Sequence, residues 1–220
     1  MEITLDPATS RIFQDLVEYT QLPAELALRR CNYATTELAV LWQKRKNVVD
    51  FYTNDNLYLI DLTKYQLILE HHKVIMNMVN QIKELQLVKI LEFGGGLGEF
   101  SLVCAEQGLS PTYYDLDGPI KQYALWRFKK HQQDSIIIAE QNSWQRPWDV
   151  VNTMDVLEHL ENPQEVITTL SRCARYIFCN PEDVKYNIFY PQHISRFDLT
   201  PHFERVKGYL WKNKQQLKPS

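Results

Sequence analysis

This chain is poor in glycine and cysteine, has no excess of basic residues, and contains no apolar run long enough to cross a bilayer. Each scarcity excludes something. The four cysteines, Cys31, Cys104, Cys173 and Cys179, are scattered with no Cys-x-x-Cys pair, which argues for reduced core thiols and against a disulfide framework or zinc site. Lys and Arg number 24 against 27 Asp and Glu, a net charge of -3, so no basic field marks a general nucleic-acid binder, although Lys129, Lys130 and His131 form a local patch. The start, Met1 to Asp6, lacks the basic and apolar regions of a signal peptide, and the expected location is the cytoplasm. Internal repeats and low-complexity tracts are also missing.

The few glycines are unevenly placed. Of seven, four fall within five positions, Gly94, Gly95, Gly96 and Gly98, directly after the apolar run Leu87 to Phe93 with its single acid Glu92. The run reads as a buried parallel strand and Leu97 to Glu106 as the following helix, with Leu97, Phe100, Ser101 and Cys104 on one face. A strand, a glycine turn and a helix start form a nucleotide-type pocket. The pattern is acid-x-Gly-x-Gly-x-Gly. It departs from the dinucleotide fingerprint at Glu99, where that fingerprint needs glycine, and this disfavours a nucleotide-linked oxidoreductase. A negative Glu92 would repel a pyrophosphate but accept a cationic ligand without phosphates. S-adenosylmethionine is such a ligand.

Two regions follow from the patterning. Residues 1–85 read as an all-helical cap. Ile12, Phe13, Leu16 and Val17 share one face, a Pro23-started helix carries Leu26, Ala27 and Cys31, and a Thr36-capped helix carries Leu38, Ala39, Leu41 and Trp42. After a polar break at residues 53–56, one helix from Leu57 to Leu85 is expected, with Tyr65, Leu69, His72, Met76 and Val79 in line. Residues 86–220 alternate strands and helices, which predicts an α/β fold, a mostly parallel sheet with helices on both faces. Further strands are expected at Thr112 to Asp115, Ser135 to Ala139, Asp149 to Met154, Tyr176 to Cys179 and Arg205 to Trp211, with helices opening at Pro119 and Pro163 and a loose tail from Lys212.

In such sheets ligands sit beyond the carboxyl ends of the strands. The second strand ends in Asp115 and Leu116, where a carboxylate offers two oxygens to ribose hydroxyls, while Asp117 suits a helix cap before Pro119. After the third strand, Gln141 and Asn142 can read an adenine edge, with an ordinary polar loop as the alternative. The fourth strand runs into Asp155, Glu158 and His159, which share a face if a helix begins there. They suit the cofactor's methionine end, a divalent cation held together with His193, or a capping box led by Asp155.

Val88 to Leu102, Tyr113 to Gly118 and Trp148 to Pro163 together resemble the first, second and fourth-strand motifs of class I S-adenosylmethionine-dependent methyltransferases, with the flavour of the quinone-biosynthesis and natural-product branch. The resemblance covers roughly residues 86–180. It implies a Rossmann-like seven-stranded sheet with one antiparallel strand, Glu92, Gly94, Gly95, Gly96 and Gly98 around the methionine moiety, Asp115 and Leu116 at the ribose, and Asp155 beside the reacting centre. Some relatives that methylate RNA ends bind metal through an acid, a Glu-His pair and a later histidine, an order that Asp155, Glu158, His159 and His193 repeat. The usual aspartate after the third strand is replaced here by Glu140, Gln141 or Asn142.

The expected activity is in-line methyl transfer from S-adenosylmethionine to a small-molecule acceptor, with no resident metal and with His159 and His193 as candidate bases because imidazole titrates near neutrality. The segment Tyr186 to His193 is expected to line the acceptor site. Neither membrane nor nucleic acid is an expected partner. The apolar N-terminal face leaves packing on its own domain and homodimer formation both open. The alternatives are a metal-dependent RNA ribose methyltransferase and a noncatalytic binding subunit of the same fold.

Overall fold

The computed structural model describes residues 3–54, 56–140, 143–181 and 191–215. Seven strands form one sheet in the order β3-β2-β1-β4-β5-β7-β6: β1 Ile90–Phe93, β2 Thr112–Tyr114, β3 Ile137–Ile138, β4 Trp148–Asn152, β5 Ala174–Phe178, β6 Phe203–Lys207 and β7 Leu210–Asn213. Every neighbouring pair among the first five strands is parallel, whereas β7 runs antiparallel to both β5 and β6. The fold is Rossmann-like, and its strand order reverses between β1 and β4, where a crevice opens at the carboxyl ends.

Alternation along β1 explains the two layers. Leu91 and Phe93 face α8 (Pro163–Cys173) through Ile167 and Leu170, while Ile90 faces α5 (Leu69–Glu84) and α6 (Glu99–Glu106) through Val79, Ile82, Phe100 and Val103. α7 (Pro119–Lys130) packs Ala124 and Phe128 on Tyr113 of β2. All four cysteines are buried and free.

The remaining helices lie over the carboxyl end of the sheet: α1 Arg11–Thr20, α2 Ala24–Lys44, α3 Val48–Asn54 and α4 Leu57–Gln66. α1, α2 and α4 share a core with Leu97 of the glycine turn and with Ile120 and Tyr123 of α7. α2 buries Ala27, Cys31, Ala34, Leu38 and Trp42 along one unbroken stripe. The helix start expected at Thr36 is therefore absent, and Leu26 is exposed.

Further expectations are corrected. The single helix over 57–85 is split at Leu67 and Ile68, because the Leu67 carbonyl accepts the N–H groups of Thr4 and Leu5 while Thr4 Oγ1 receives the Leu69 N–H at 2.7 Å. The buried stripe of α5 is Ile75, Met78, Val79 and Ile82, leaving Leu69 and His72 outside. The one closing strand is a hairpin, β6 and β7, turned at Gly208 with φ +57°. The chain after β4 enters a short 3-10 turn, Leu157–His159, in place of an α-helix, and the residue in the N-cap position is Val156, not Asp155. Asp117 likewise caps nothing: it pairs with Lys121 at 2.7 Å.

Candidate active site

A cavity of about 370 Å³ occupies the crevice between β1 and β4, at the lower end of the range for small-ligand pockets. Its floor is the strand ends and its roof comes from α3, α4 and α5.

The glycine turn forms the centre of the floor. The N–H groups of Gly94 and Gly95 both donate to the Tyr114 carbonyl, at 2.9 and 3.0 Å, which lashes the turn to β2. Gly96 has φ +52° and its carbonyl accepts the Tyr113 hydroxyl at 2.7 Å. A side chain at Gly95 would meet the Tyr113 ring at 2.5 Å, so this glycine is required by packing behind the turn.

Asp115 holds the turn from the other side. Its Oδ2 accepts the Gly96 N–H and its Oδ1 the Leu116 N–H, both at 2.6 Å. Each oxygen keeps a second lone-pair direction for a ligand hydroxyl. Burial pushes this carboxyl up to about 6, and the two backbone N–H groups and Lys121 limit the rise.

Glu92 behaves differently from the sequence expectation. Its Oε2 accepts both the N–H, at 3.2 Å, and the hydroxyl of Ser101 at the start of α6. Full burial pushes it up to about 8, with Asp115 and Glu99 adding to the effect of desolvation and Ser101 opposing it. At neutral pH it is mostly uncharged, so it supplies no fixed negative charge against a pyrophosphate.

The exit of β4 joins the floor to the roof. Asp155 adopts φ +56°, a left-handed conformation uncommon outside glycine, and its Oδ2 accepts the Tyr65 hydroxyl of α4 at 2.7 Å. His159 Nδ1 lies 2.9 Å from the Tyr52 hydroxyl and 3.1 Å from the Gln192 carbonyl. Burial first, and His193 beside it second, hold His159 down to about 3. Such an imidazole is uncharged near neutrality and keeps a single N–H, and the expectation of a base that titrates near neutrality is corrected for this residue. His193 packs edge-on to His159 with ring centroids 4.8 Å apart, outside the cavity wall.

The structure thus brings Glu92, Gly94, Gly95, Gly96, Asp115, Leu116, Asp155 and His159 to one cavity. Gly98 stands behind the wall, where a side chain would meet Phe128 at 2.4 Å. Gln141 and Asn142, and residues 186–190 of the expected acceptor segment, lie outside the described residues. Tyr52, Tyr58 and Tyr65 line the roof beside Leu62, His71 and Met78, which no sequence motif marked. Among the described residues the wall carries five carboxyl groups, Glu92, Glu99, Asp115, Asp155 and Glu161, and no lysine or arginine. Glu158, His159 and His193 bring potential ligand atoms within 4.8 Å of one another, without Asp155.

Residues 78–181 match the family model of the methyltransferase domain. The matched stretch, a little under half of the chain, is similar to that domain. It holds β1 to β5, the glycine turn, Asp115 and Asp155. Solved structures of similar fold include magnesium protoporphyrin IX methyltransferase from Synechocystis, with 19% identity over 54% of this chain and 58% of that one, TM-score 0.46. The N-terminal domain of EvdMO1, solved with SAH bound, shows 14% identity over 64% of this chain and 66% of that one, TM-score 0.44. The methyltransferase domain of bacterial CtHen1 shows 17% identity over 50% and 64%, TM-score 0.44. The chain spans less than two thirds of each of these three structures. No curated protein matches it in sequence. Outside the matched residues, α3, α4 and the first part of α5 supply most of the roof, and among the described residues no helix is long and apolar enough to cross a membrane.

Proposed function

We propose that this protein transfers the methyl group of S-adenosylmethionine to a small-molecule acceptor. The observation that carries the reading is the Asp115 carboxylate bridging the Gly96 and Leu116 N–H groups at the β1/β4 crevice, with its free lone pairs available to a ribose. The wall supports the choice of ligand. Asp115, Asp155 and Glu161, on a wall with no lysine or arginine among its described residues, favour a cationic group over a phosphate, and the rings of Tyr52, Tyr58 and Tyr65 suit a sulfonium.

Bound there, the sulfonium would supply a methyl carbon whose bond to sulfur breaks, the electron pair remaining on sulfur, as the acceptor attacks from the opposite side. The chain's own residues would hold the two partners about 3 Å apart and in line. Asp115 and the turn fix the nucleoside end. Asp155, oriented by Tyr65, stands at the exit of β4 to orient the acceptor, and the helical roof excludes water. His159 orients Tyr52 instead of moving a proton.

Titration calorimetry with S-adenosylhomocysteine, NAD and NADP tests the reading. Saturable binding of the first alone is expected, and a flat trace with it overturns the proposal. Binding without turnover of any acceptor in a metabolite panel would favour the noncatalytic alternative.

A second reading rests on Glu158, His159 and His193. Burial keeps His159 unprotonated, and its Nδ1 contacts leave Nε2 as the ligand atom. These three residues would hold a divalent cation that lowers the pKa of an acceptor hydroxyl. A polynucleotide acceptor fits the acidic wall poorly. Metal analysis after dialysis against a chelator decides: retained metal and chelator-sensitive turnover support this reading, and full activity after exhaustive chelation removes it.

A further inference from the structure

Arg127 on α7 has no exposed surface and does not line the cavity, yet its guanidinium grips the glycine turn from behind. Nη1 donates to the Leu97 carbonyl at 2.7 Å, Nη2 to Glu99 Oε2 at 2.6 Å and Nε to Asp15 Oδ2 at 2.8 Å. Leu97 stands between Gly96 and Gly98, and Glu99 opens α6. Asp15, also fully buried, belongs to α1, outside the methyltransferase domain. Arg11 of α1 adds a second bond to Glu99 at 2.7 Å, and His131 and Lys130 meet Asp15 at 2.9 and 3.0 Å.

Packing alone does not account for this arrangement. Desolvating a guanidinium and two carboxylates is expensive, and apolar side chains of similar volume commonly stabilise a core as well or better. What the ions supply is geometry. A planar fork of donors sets three acceptors at fixed angles, and one of these acceptors is the backbone of the ligand-binding turn.

We propose that Arg127 is a positioning residue of the cofactor site and that Asp15 completes it, so that α1 helps set cofactor affinity from outside the domain. This rests on the reading of the turn as the S-adenosylmethionine site. Without Asp15 the guanidinium can tilt toward Glu99, and the Leu97 carbonyl, with residues 96–98, loses its fixed support.

The test compares Asp15→Asn and Arg127→Lys with Leu16→Ala, an apolar truncation in the buried face of α1 that removes none of these hydrogen bonds or ion pairs. Affinity for S-adenosylhomocysteine is measured by calorimetry well below each variant's melting temperature. Both Asp15→Asn and Arg127→Lys are expected to bind at least fivefold more weakly, because a lysine cannot span the three acceptors, while Leu16→Ala lowers the melting temperature and keeps the affinity within twofold. If Arg127→Lys does not fold, Asp15→Asn decides. Wild-type affinity in Asp15→Asn, or an equal loss in Leu16→Ala, overturns the inference. A wild-type protein that does not bind overturns the cofactor reading itself.

Discussion

Tyr65 donates its hydroxyl to Asp155 Oδ2 at 2.7 Å, joining the helical roof to the exit of β4 across 90 residues. The bond is charge-assisted and holds an aspartate whose backbone is already in an uncommon conformation. Tyr65→Phe removes it while keeping the ring. A loss of about 1.5–3 kcal/mol is expected to appear in kcat as roughly ten- to hundredfold, with unchanged affinity for S-adenosylhomocysteine. Parallel measurement of turnover and binding checks this, and an equal loss in both would place Asp155 at the cofactor instead of the acceptor.

Asp115 predicts how affinity depends on pH. Its carboxyl is raised to about 6 in the unliganded protein, and a ribose diol needs the carboxylate as acceptor. Affinity for S-adenosylhomocysteine should therefore fall below pH 6, approaching tenfold per unit. Asp115→Asn should bind more weakly by about 1–3 kcal/mol and show a flatter profile, because an amide cannot accept on both sides. Calorimetry across pH 5 to 8 reads both effects.

Glu92 predicts how stability depends on pH. The folded-state value near 8 lies above the ordinary 4.5, so the folded protein holds a proton that the unfolded chain releases. This stability is fully present below about pH 4.5 and is lost as pH rises through 8, with a slope of order 1 kcal/mol per unit in between. Glu92→Gln should flatten the dependence in urea unfolding between pH 5 and 8. An unchanged slope would mean that Glu92 ionises in the folded protein as it does in water.

Two glycines of the same turn should respond differently to alanine. At Gly98 the added methyl carbon would lie 2.4 Å from the Phe128 ring with φ +71°, and a stability loss of more than about 2 kcal/mol is expected. At Gly96 the nearest atom is Leu62 Cδ1 at 3.5 Å, so only the φ of +52° resists substitution and the stability loss should stay near 1 kcal/mol. Since Gly96 lines the cavity, its variant should lose ligand affinity by more than its stability suggests. Thermal melting paired with calorimetry separates the two.

The features legible in the sequence are those whose causes are local. A glycine cluster after an apolar strand marks a turn wherever it occurs, and the residue ending the next parallel strand must emerge beside it, which is why Asp115 was readable. The split between α4 and α5 was not readable, because its cause is the Thr4 and Leu5 N–H groups, more than 60 residues away. The same holds for His159, whose residue type predicts a near-neutral base and whose burial beside His193 makes it a neutral one.

The amino-acid order by itself determined the strand and helix alternation, the glycine turn and the acid that ends the neighbouring strand beside it, since each depends on backbone sterics and hydrophobic period within a few residues. Only the tertiary structure decided that Tyr65 reaches Asp155, that Arg127 braces Leu97 against Asp15, and that Glu92 keeps its proton. Hydrogen-bond geometry and desolvation depend on which distant atoms surround a group, and folding alone brings those atoms together.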